Sequence, residues 1–182
     1  MQYKYSYQVN DDFIDDILRI DASVYHPSVQ GTKSSLLNRY QANRESFVLA
    51  IDETQLIGYV GFFPVTNALS ERMVKEHKTF DDNIRGEDIL PSYTSEFDFD
   101  MFLISIAISP EYKGKGVGSE LMRQCLAFID GKRQSGSRIR HIYSYAFTDD
   151  GVRVLSKVGF TVIKTIQYPE QKTDVFFMRY TF

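Results

Sequence analysis

The stretch ISIAISPEYKGKGVGSEL, residues 104–121, joins a run of β-branched side chains to three closely spaced glycines. Glycine weakens regular structure, so Gly114, Gly116 and Gly118 indicate backbone that bends tightly or approaches another group closely. The residues before them, 101–108, form a nearly continuous apolar run, which is typical of a strand buried on both faces. Apolar side chains recur at helical spacing from Leu121 onward. The segment therefore predicts a strand, a glycine-rich turn and a helix.

This order of elements suits the binding of phosphate. The first N–H groups of a helix have no partner within the helix, and the helix dipole adds partial positive charge at that end. Glycines let a diphosphate reach the backbone, and Lys113 and Lys115 add two cations beside it. The alternative is a plain tight turn with solvated lysines. We expect a phosphate-binding loop.

Two nucleotide-binding patterns do not fit this loop. The P-loop pattern GxxxxGK[ST] does not occur in the sequence. The dinucleotide pattern GxGxxG needs a glycine where Ser119 stands, and an acidic residue at the end of the next strand. Residues 138–147 form that strand and contain no acidic residue. What remains after Gly118 is also too short for a second mononucleotide-binding half.

Composition limits the class of protein. The chain has 182 residues, 43% hydrophobic and 25% charged, with a net charge of −3, which fits one soluble globular domain and argues against a general nucleic-acid binder. Cys125 is the single cysteine and lies on an apolar helix stripe, so we expect it in the core. His26, His77 and His141 lack metal-ligand spacing, and we predict no metal site. No apolar run approaches a membrane span and no secretory leader is evident, so we expect a cytoplasmic protein with no membrane partner.

The rest of the chain alternates between strand and helix patterns. We predict strands, helices and hairpins in this order: a strand over 3–9, a helix from Asp11, a shorter helix around Leu36, a hairpin over 46–66, a helix pattern in 68–77, the buried strand, a helix ending near Gly131, a strand over 138–147, a helix from Asp149 or Asp150, and a hairpin over 160–182. This order predicts an α/β protein with one mixed sheet flanked by helices.

The glycine segment PEYKGKGVGSEL resembles the acyl-CoA loop of the GNAT superfamily of N-acyltransferases, whose pattern is [QR]-x-x-G-x-[GA]. Lys113 occupies the first position and keeps a donor there, while Gly116 and Gly118 occupy the fourth and sixth. Residues 103–109, LISIAIS, are similar to the family's fourth strand, and VLSKVGF resembles a family segment that ends at Gly159 and Phe160. The resemblance implies one twisted, mostly antiparallel sheet of six to seven strands with about four helices. It implies a single N-acetyltransferase domain over 1–182, with an acidic insertion at about 67–100.

The resemblance also implies that acetyl-CoA is the co-substrate. The main chain of the fourth strand would bond the pantetheine arm and the glycine loop would bind the diphosphate. Thr148 stands about where the family often has a cofactor-facing asparagine. The implied cofactor-binding residues are Ile106, Ala107, Ile108, Lys113, Gly114, Lys115, Gly116, Val117, Gly118, Ser119 and Thr148.

Two catalytic residues of many relatives are missing from this sequence. Leu155 stands where a tyrosine protonates the thiolate, and Phe102 stands nearest to where some relatives carry a glutamate base. We consider four substitutes and two acceptor contacts: Tyr145 or Tyr143 as the acid, Asp100 or Glu96 as a base through water, and Tyr25 and His26 as substrate-binding residues. The alternative is that these tyrosines pack in the core and these carboxylates lie in solvent.

The acidic insertion suggests the class of acceptor. From residue 78 to residue 100 the carboxylates outnumber two cations, the carboxylates being Asp81, Asp82, Glu87, Asp88, Glu96, Asp98 and Asp100. Such an excess attracts cationic molecules, so we predict a positively charged primary amine: a polyamine, an aminoglycoside-like molecule or a peptide lysine. Transfer would proceed by direct attack in a ternary complex. Two rival functions are a non-catalytic acyl-CoA sensor and, less well supported, a nucleotide-binding protein. The apolar C-terminal strands leave a homodimer open.

Overall fold

The computed structural model describes residues 1–80, 84–168 and 173–182. These residues form a seven-stranded sheet in the order β1-β2-β3-β4-β5-β7-β6. The pairs are antiparallel apart from β4 and β5, which run parallel. This confirms the mixed, mostly antiparallel sheet. The strands are β1 Gln2–Tyr5, β2 Phe47–Asp52, β3 Gln55–Val65, β4 Phe99–Ile108, β5 Ile139–Ala146, β6 Thr161–Tyr168 and β7 Thr173–Thr181.

Five α-helices lie in the same described residues, at the five positions that the sequence pattern predicts, whereas the resemblance implies about four. Threonine side chains cap three of them: Thr32, Thr66 and Thr148 each accept a hydrogen bond from a first-turn backbone N–H. The fourth helix continues past Gly131 rather than ending there. The helices are α1 Phe13–Val24, α2 Lys33–Ala42, α3 Asn67–Lys75, α4 Val117–Gln134 and α5 Asp149–Lys157. None of the described helices has the length and apolar character that crossing a bilayer requires.

The sheet separates two apolar layers. On one face, Leu121, Met122 and Cys125 of α4 pack against strand residues such as Met101. On the other face, α1 and α2 cover one end of the sheet around the buried Tyr59. Burial raises the pKa of the Cys125 thiol far above its ordinary value, which confirms its expected place in the core and makes it unreactive.

Strand β4 contains a bulge at Ile104. Gly61 of β3 pairs with Ser105, whereas the next residue, Phe62, pairs with Leu103, so Ile104 is an extra residue on β4. The parallel pairing between β4 and β5 has Leu103 and Ser144 as its last pair, although both strands continue. The two strands therefore separate at their carboxyl ends. We call this opening the β4–β5 gap.

The predicted acidic insertion begins with α3 and then packs against the sheet. Leu90 N donates to Pro64 O at 2.9 Å, and Val65 forms a β-bridge with Ile89. These contacts place residues 88–90 beside the carboxyl end of β3, at the end of the sheet where β4 begins and away from the β4–β5 gap. Phe80, Ile84 and Ile89 are buried. The segment is therefore anchored by its own apolar side chains rather than being a purely solvated loop.

Candidate active site

A cavity of about 910 Å³ lies at the β4–β5 gap. Its walls are the carboxyl half of β4, the glycine loop with the start of α4, the end of β5 with α5, and the segment that joins α1 to α2. This volume suits a ligand of cofactor size. The β4–β5 pairing ends at Leu103, immediately before the bulge at Ile104, so the bulge and the cavity lie at the same point of β4.

The main chain of β4 presents two residues to the gap. Ser109 N donates to Ile57 O on β3 at 2.8 Å. Because backbone groups alternate between the two edges of a strand, the N–H and C=O groups of Ala107 also face β3, while those of Ile106 and Ile108 face the gap. This supports Ile106 and Ile108 as contacts for a pantetheine arm. For Ala107 the structure corrects the prediction, since its amide groups belong to the β3–β4 pairing.

The glycine loop follows the buried strand as the sequence predicts. Gly114 and Gly116 have φ of +80° and +83°, a left-handed conformation that only glycine adopts readily. Gly116 is the residue before α4, so the first-turn N–H groups of Val117, Gly118 and Ser119 border the cavity. A Cβ on Gly118 would lie 2.9 Å from Ile108 Cδ1, and the glycine thus lets α4 start against β4.

Charged groups at the loop are already paired. Lys113 Nζ lies 3.1 Å from Asp150 Oδ2, and both residues border the cavity. This ion pair lowers the pKa of Asp150. An incoming diphosphate would therefore compete with Asp150 for Lys113. Lys115 instead lies outside the cavity wall, with Nζ 4.8 Å from the ring centre of Tyr112.

Thr148 borders the cavity where the predicted cofactor contact would be. Its Oγ1 accepts a hydrogen bond from Gly151 N at 3.0 Å and so caps α5. The Thr148 hydroxyl can therefore still donate its hydrogen to a ligand.

The four predicted acids and bases are not brought together. Tyr145 borders the cavity, with its hydroxyl 3.4 Å from Lys78 O. Tyr143 lies outside the cavity and stacks on Phe177 with 5.3 Å between the ring centres. Of the two tyrosines, the geometry favours Tyr145.

The two predicted bases lie at the wrong end of β4. Asp100 is 2% exposed, and Arg140 donates to both of its carboxylate oxygens at 2.7 and 3.2 Å. Six residues of strand separate Asp100 from Ile106, a distance of roughly 20 Å. Glu96 is exposed and precedes the strand. Neither carboxylate borders the cavity, because β4 carries them away from the gap.

Of the two predicted acceptor contacts, one borders the cavity and the other does not. Tyr25, just after α1, borders the cavity and donates from its hydroxyl to Ile106 O at 2.7 Å. His26 is exposed and lies outside the cavity wall. Of the insertion carboxylates, Glu87 and Asp88 lie with residues 88–90 at the far end of β4, and Asp81 and Asp82 lie outside the described residues. Among the described side chains, no group of three metal-binding residues gathers.

A chain of four polar side chains crosses the cavity wall. Tyr59 on β3 donates its hydroxyl to Asp21 on α1. Tyr59 Oη lies 2.9 Å from Ser105 Oγ on β4, and Ser105 Oγ lies 3.0 Å from Tyr25 Oη. All four side chains border the cavity. We call Asp21, Tyr59, Ser105 and Tyr25 the hydroxyl chain.

Burial gives the titratable members of the hydroxyl chain very different pKa values. It raises the pKa of Asp21 to about 6, against the opposing effects of the Tyr59 hydrogen bond and the Arg39 charge. It also raises the pKa of Tyr25 to about 12 and that of Tyr59 well above its ordinary value. Asp21 is therefore the member of the chain that changes charge near neutral pH.

Asp21 was not predicted from the sequence, although a signal for it is present there. Asp21 follows Ile14 by seven residues and Ile17 by four, so it falls on the apolar face of α1. A carboxylate on a buried helix face needs a hydrogen-bond or charge partner in the fold. An aspartate at an apolar position of an amphipathic helix therefore indicates a buried carboxylate with such a partner.

The comparisons with known proteins agree with this architecture. The sequence model described as the acetyltransferase (GNAT) family matches residues 13–160. The chain belongs to this family. A comparison with curated protein sequences finds no match.

Solved structures share the GNAT fold at low sequence identity. Ard1 from Thermoplasma volcanium is 15% identical with a TM-score of 0.67, covering 99% of this chain and 96% of its own. Arabidopsis thaliana Naa50, in complex with the bisubstrate analogue CoA-Ac-MVNAL, is 15% identical with a TM-score of 0.64, covering 100% and 98%. The GNAT-like decarboxylase GphF, in complex with isobutyryl-CoA, is 9% identical with a TM-score of 0.72, covering 100% and 99%. These likenesses show the fold, and they span more than one reaction.

Proposed function

We propose that this GNAT protein transfers an acetyl group from acetyl-CoA to a primary amine by direct attack in a ternary complex. One observation carries the proposal: the first-turn N–H groups of α4 and the gap-facing main chain of Ile106 and Ile108 border a single cavity. The helix start supplies donors for a diphosphate, and the strand edge supplies partners for a pantetheine amide. A CoA thioester bound in this way points its acyl group towards α1.

The reaction sets three requirements. An amine with a pKa near 10.4 is mostly protonated at pH 7, and freeing its lone pair costs about 4–5 kcal/mol. The acyl oxygen needs a donor as charge develops, and the gap-facing N–H of Ile108 supplies one. The departing thiolate has a pKa near about 8.5 and leaves with little assistance. Tyr145, at the cavity wall, is the proposed acid for that step.

The acceptor enters between the α1–α2 segment and β4, where Tyr25 borders the cavity. Naa50 binds an analogue in which CoA is joined to a peptide, and that fold is shared here. We therefore add a free peptide N-terminus to the polyamines, aminoglycosides and peptide lysines considered as cationic acceptors.

A thiol-release assay with acetyl-CoA tests the proposal. The panel contains a polyamine, an aminoglycoside, a lysine peptide and a peptide with a free N-terminus, each with its N-acetylated form as control. We expect thiol release with at least one free amine and none with its acetylated form. Acetyl-CoA binding without turnover on the whole panel would contradict amine acetylation.

That contradictory result would favour a non-catalytic acyl-CoA sensor. One observation supports this second candidate: Leu155 is 2% exposed and borders the cavity where many relatives carry a tyrosine, so it offers no proton to a thiolate. In a sensor, binding of acetyl-CoA would raise the melting temperature with no product formed.

A further inference from the structure

The hydroxyl chain has more hydrogen bonds to make than its hydroxyl groups have hydrogens. Four contacts join its members and the strand: Asp21 to Tyr59, Tyr59 to Ser105, Ser105 to Tyr25, and Tyr25 to Ile106 O. Each contact needs one hydrogen between its two oxygens. The hydroxyls of Tyr59, Ser105 and Tyr25 supply three. The fourth contact is completed only when Asp21 carries a proton.

The two protonation states of Asp21 give the chain two directions. In the structure Tyr59 donates to Asp21 while Tyr25 donates to Ile106 O. With Asp21 ionised, rotation of the Tyr25 hydrogen from Ile106 O to Ser105 lets the hydroxyls of Tyr25, Ser105 and Tyr59 each donate to the next member, and the last donates to the carboxylate. The oxygen of Tyr25 then has a lone pair available at the gap. With Asp21 protonated, every hydrogen bond reverses and Tyr25 donates outward, to Ile106 O. The chain thus accepts one proton at Tyr25 and stores it at Asp21.

We propose that the hydroxyl chain carries the proton of the attacking amine from Tyr25, at the β4–β5 gap, through Ser105 and Tyr59 to Asp21. This inference rests on the amine acetylation proposed above. Tyr25 is the catalytic member, because its oxygen faces the place where the thioester would lie. The other three members act through it as positioning residues.

The step balances in protons and electrons. An N–H bond of the amine breaks as an O–H bond forms on Tyr25, whose own hydrogen passes to Ser105. The Ser105 hydrogen passes to Tyr59 and the Tyr59 hydrogen passes to the Asp21 carboxylate, which becomes neutral. The freed nitrogen lone pair forms the C–N bond, and the CoA thiolate leaves with the electrons of the C–S bond. The thiolate takes the hydroxyl proton of Tyr145, and the second N–H proton that the acylated nitrogen loses replaces it on Tyr145. Asp21 later returns its proton to solvent along the same path.

The surroundings of Asp21 suit a proton store. The charged and titratable groups that face it are Tyr59 from β3, Arg39 from α2 and Tyr25 at the end of its own helix. Both tyrosines stay protonated at neutral pH because burial raises their pKa values. Asp21 is 5% exposed and borders the cavity, and the hydroxyl chain is the hydrogen-bonded connection between its carboxylate and the Tyr25 hydroxyl at the β4–β5 gap.

A second tyrosine–aspartate pair provides a matched control. Tyr40 on α2 donates its hydroxyl to Asp11 at 3.1 Å, and neither residue borders the cavity. An Asp11→Asn variant therefore removes the same kind of contact without touching the proposed route.

The first experiment follows the Asp21 carboxyl carbon by NMR during a pH titration and needs no turnover. We expect a midpoint near the pKa of about 6 that burial gives this group. A midpoint near the ordinary aspartate value of about 4 would overturn the proposal, because the carboxylate would then hold no proton under working conditions.

The second experiment compares the pH dependence of kcat/KM for the wild-type protein, Ser105→Ala, Ser105→Thr and Asp11→Asn. Ser105→Ala leaves the Asp21–Tyr59 contact in place but breaks the route. We expect a loss of at least tenfold in kcat with KM changed less than twofold, and loss of the acidic limb near pH 6. Ser105→Thr keeps a hydroxyl and should recover most of the rate. Asp11→Asn should match the wild-type protein.

Asp21→Asn provides the final comparison. We expect it to lose rate to the same extent as Ser105→Ala, and the double variant to lose no more than either single one. Wild-type turnover with an unchanged pH profile in Ser105→Ala would overturn the relay and leave acetyl transfer standing. Absence of turnover by the wild-type protein on every amine would overturn both.

Discussion

The two halves of β4 have similar apolar sequences and different uses. Residues 100–103 pair with β3 on one edge, the pairing with β5 on the other edge runs from Phe99 to Leu103, and all five residues are buried. Residues 105–108 pair with β3, and their other edge faces the cavity. Ile104, the extra residue at the bulge, lies between them. One inserted residue thus divides the strand into a structural half and a half that we propose binds the ligand.

The proposed cofactor site therefore depends on backbone geometry more than on particular side chains. In the first half, strand edges are satisfied by their neighbours and side chains fill the core. In the second half, the amide groups of Ile106 and Ile108 face the gap, while the glycines keep the start of α4 against the strand. Substitutions in the first half should therefore change stability, and changes around the second half should change binding.

The largest expected effect is on stability, from Met101→Ala in the structural half. Met101 is fully buried in the core against α4. We expect a loss of about 2–5 kcal/mol in the free energy of unfolding, measured by urea denaturation. The Kd for CoA, measured by calorimetry on folded protein, should change less than twofold. A tenfold change in Kd would show that the two halves are not separable.

Ser119→Glu should weaken CoA binding without lowering stability, the opposite of Met101→Ala. Ser119 is exposed in the first turn of α4, where a carboxylate favours the helix but repels a diphosphate. We expect CoA affinity to fall about a hundredfold, about 2.7 kcal/mol, with the melting temperature unchanged or higher. Ser119→Gln, of the same size, should bind within about threefold of the wild-type protein. Equal affinities for the two variants would contradict a diphosphate at this helix start.

Asp21→Asn should stabilise the protein at neutral pH. The pKa of Asp21 is raised from 3.8 to about 6, so the folded state binds more protons than the unfolded state between these values. Wild-type stability therefore falls as pH rises through that range, by about 3 kcal/mol at most. We expect the variant to be about 2 kcal/mol more stable at pH 7.5, with the difference disappearing towards pH 4. Urea denaturation at both pH values measures this, and equal stability at pH 7.5 would contradict the buried carboxylate.

The smallest expected effect comes from Lys113→Ala. Its ion pair with Asp150 is exposed, so the free energy of unfolding should be almost unchanged. Loss of one cation beside the diphosphate should weaken CoA binding about fivefold at low salt, and less at 0.5 M salt because exposed charges are screened. An effect that does not decrease with salt would show that Lys113 acts other than through its charge.

The local parts of the site were predictable from the sequence. The buried strand, the glycine loop and the helix start are adjacent in the chain, so the spacing of Gly114, Gly116 and Gly118 sufficed to place them. The mixed, mostly antiparallel sheet also followed from the order of the elements and from the GNAT resemblance. The bulge at Ile104 was not predicted, because its evidence is the register with β3 and not the composition of β4.

The contacts between residues that are distant in the chain could not be predicted from the sequence. Tyr59 is 38 residues from Asp21 and 46 residues from Ser105, and only the packing of α1 on the sheet brings the three together. Asp100 was a reasonable base by sequence position, but its place depends on which end of β4 opens. The direction of a strand relative to a gap is a property of the folded sheet.

A crystal structure with acetyl-CoA bound would show whether the glycine loop and the β4–β5 gap hold the cofactor. We expect the diphosphate on the N–H groups of Val117, Gly118 and Ser119, and the pantetheine arm in the β4–β5 gap against Ile106 and Ile108. The thioester carbon should lie within reach of the Tyr25 hydroxyl. Acetyl-CoA bound elsewhere, with the glycine loop and the gap free of ligand, would contradict it.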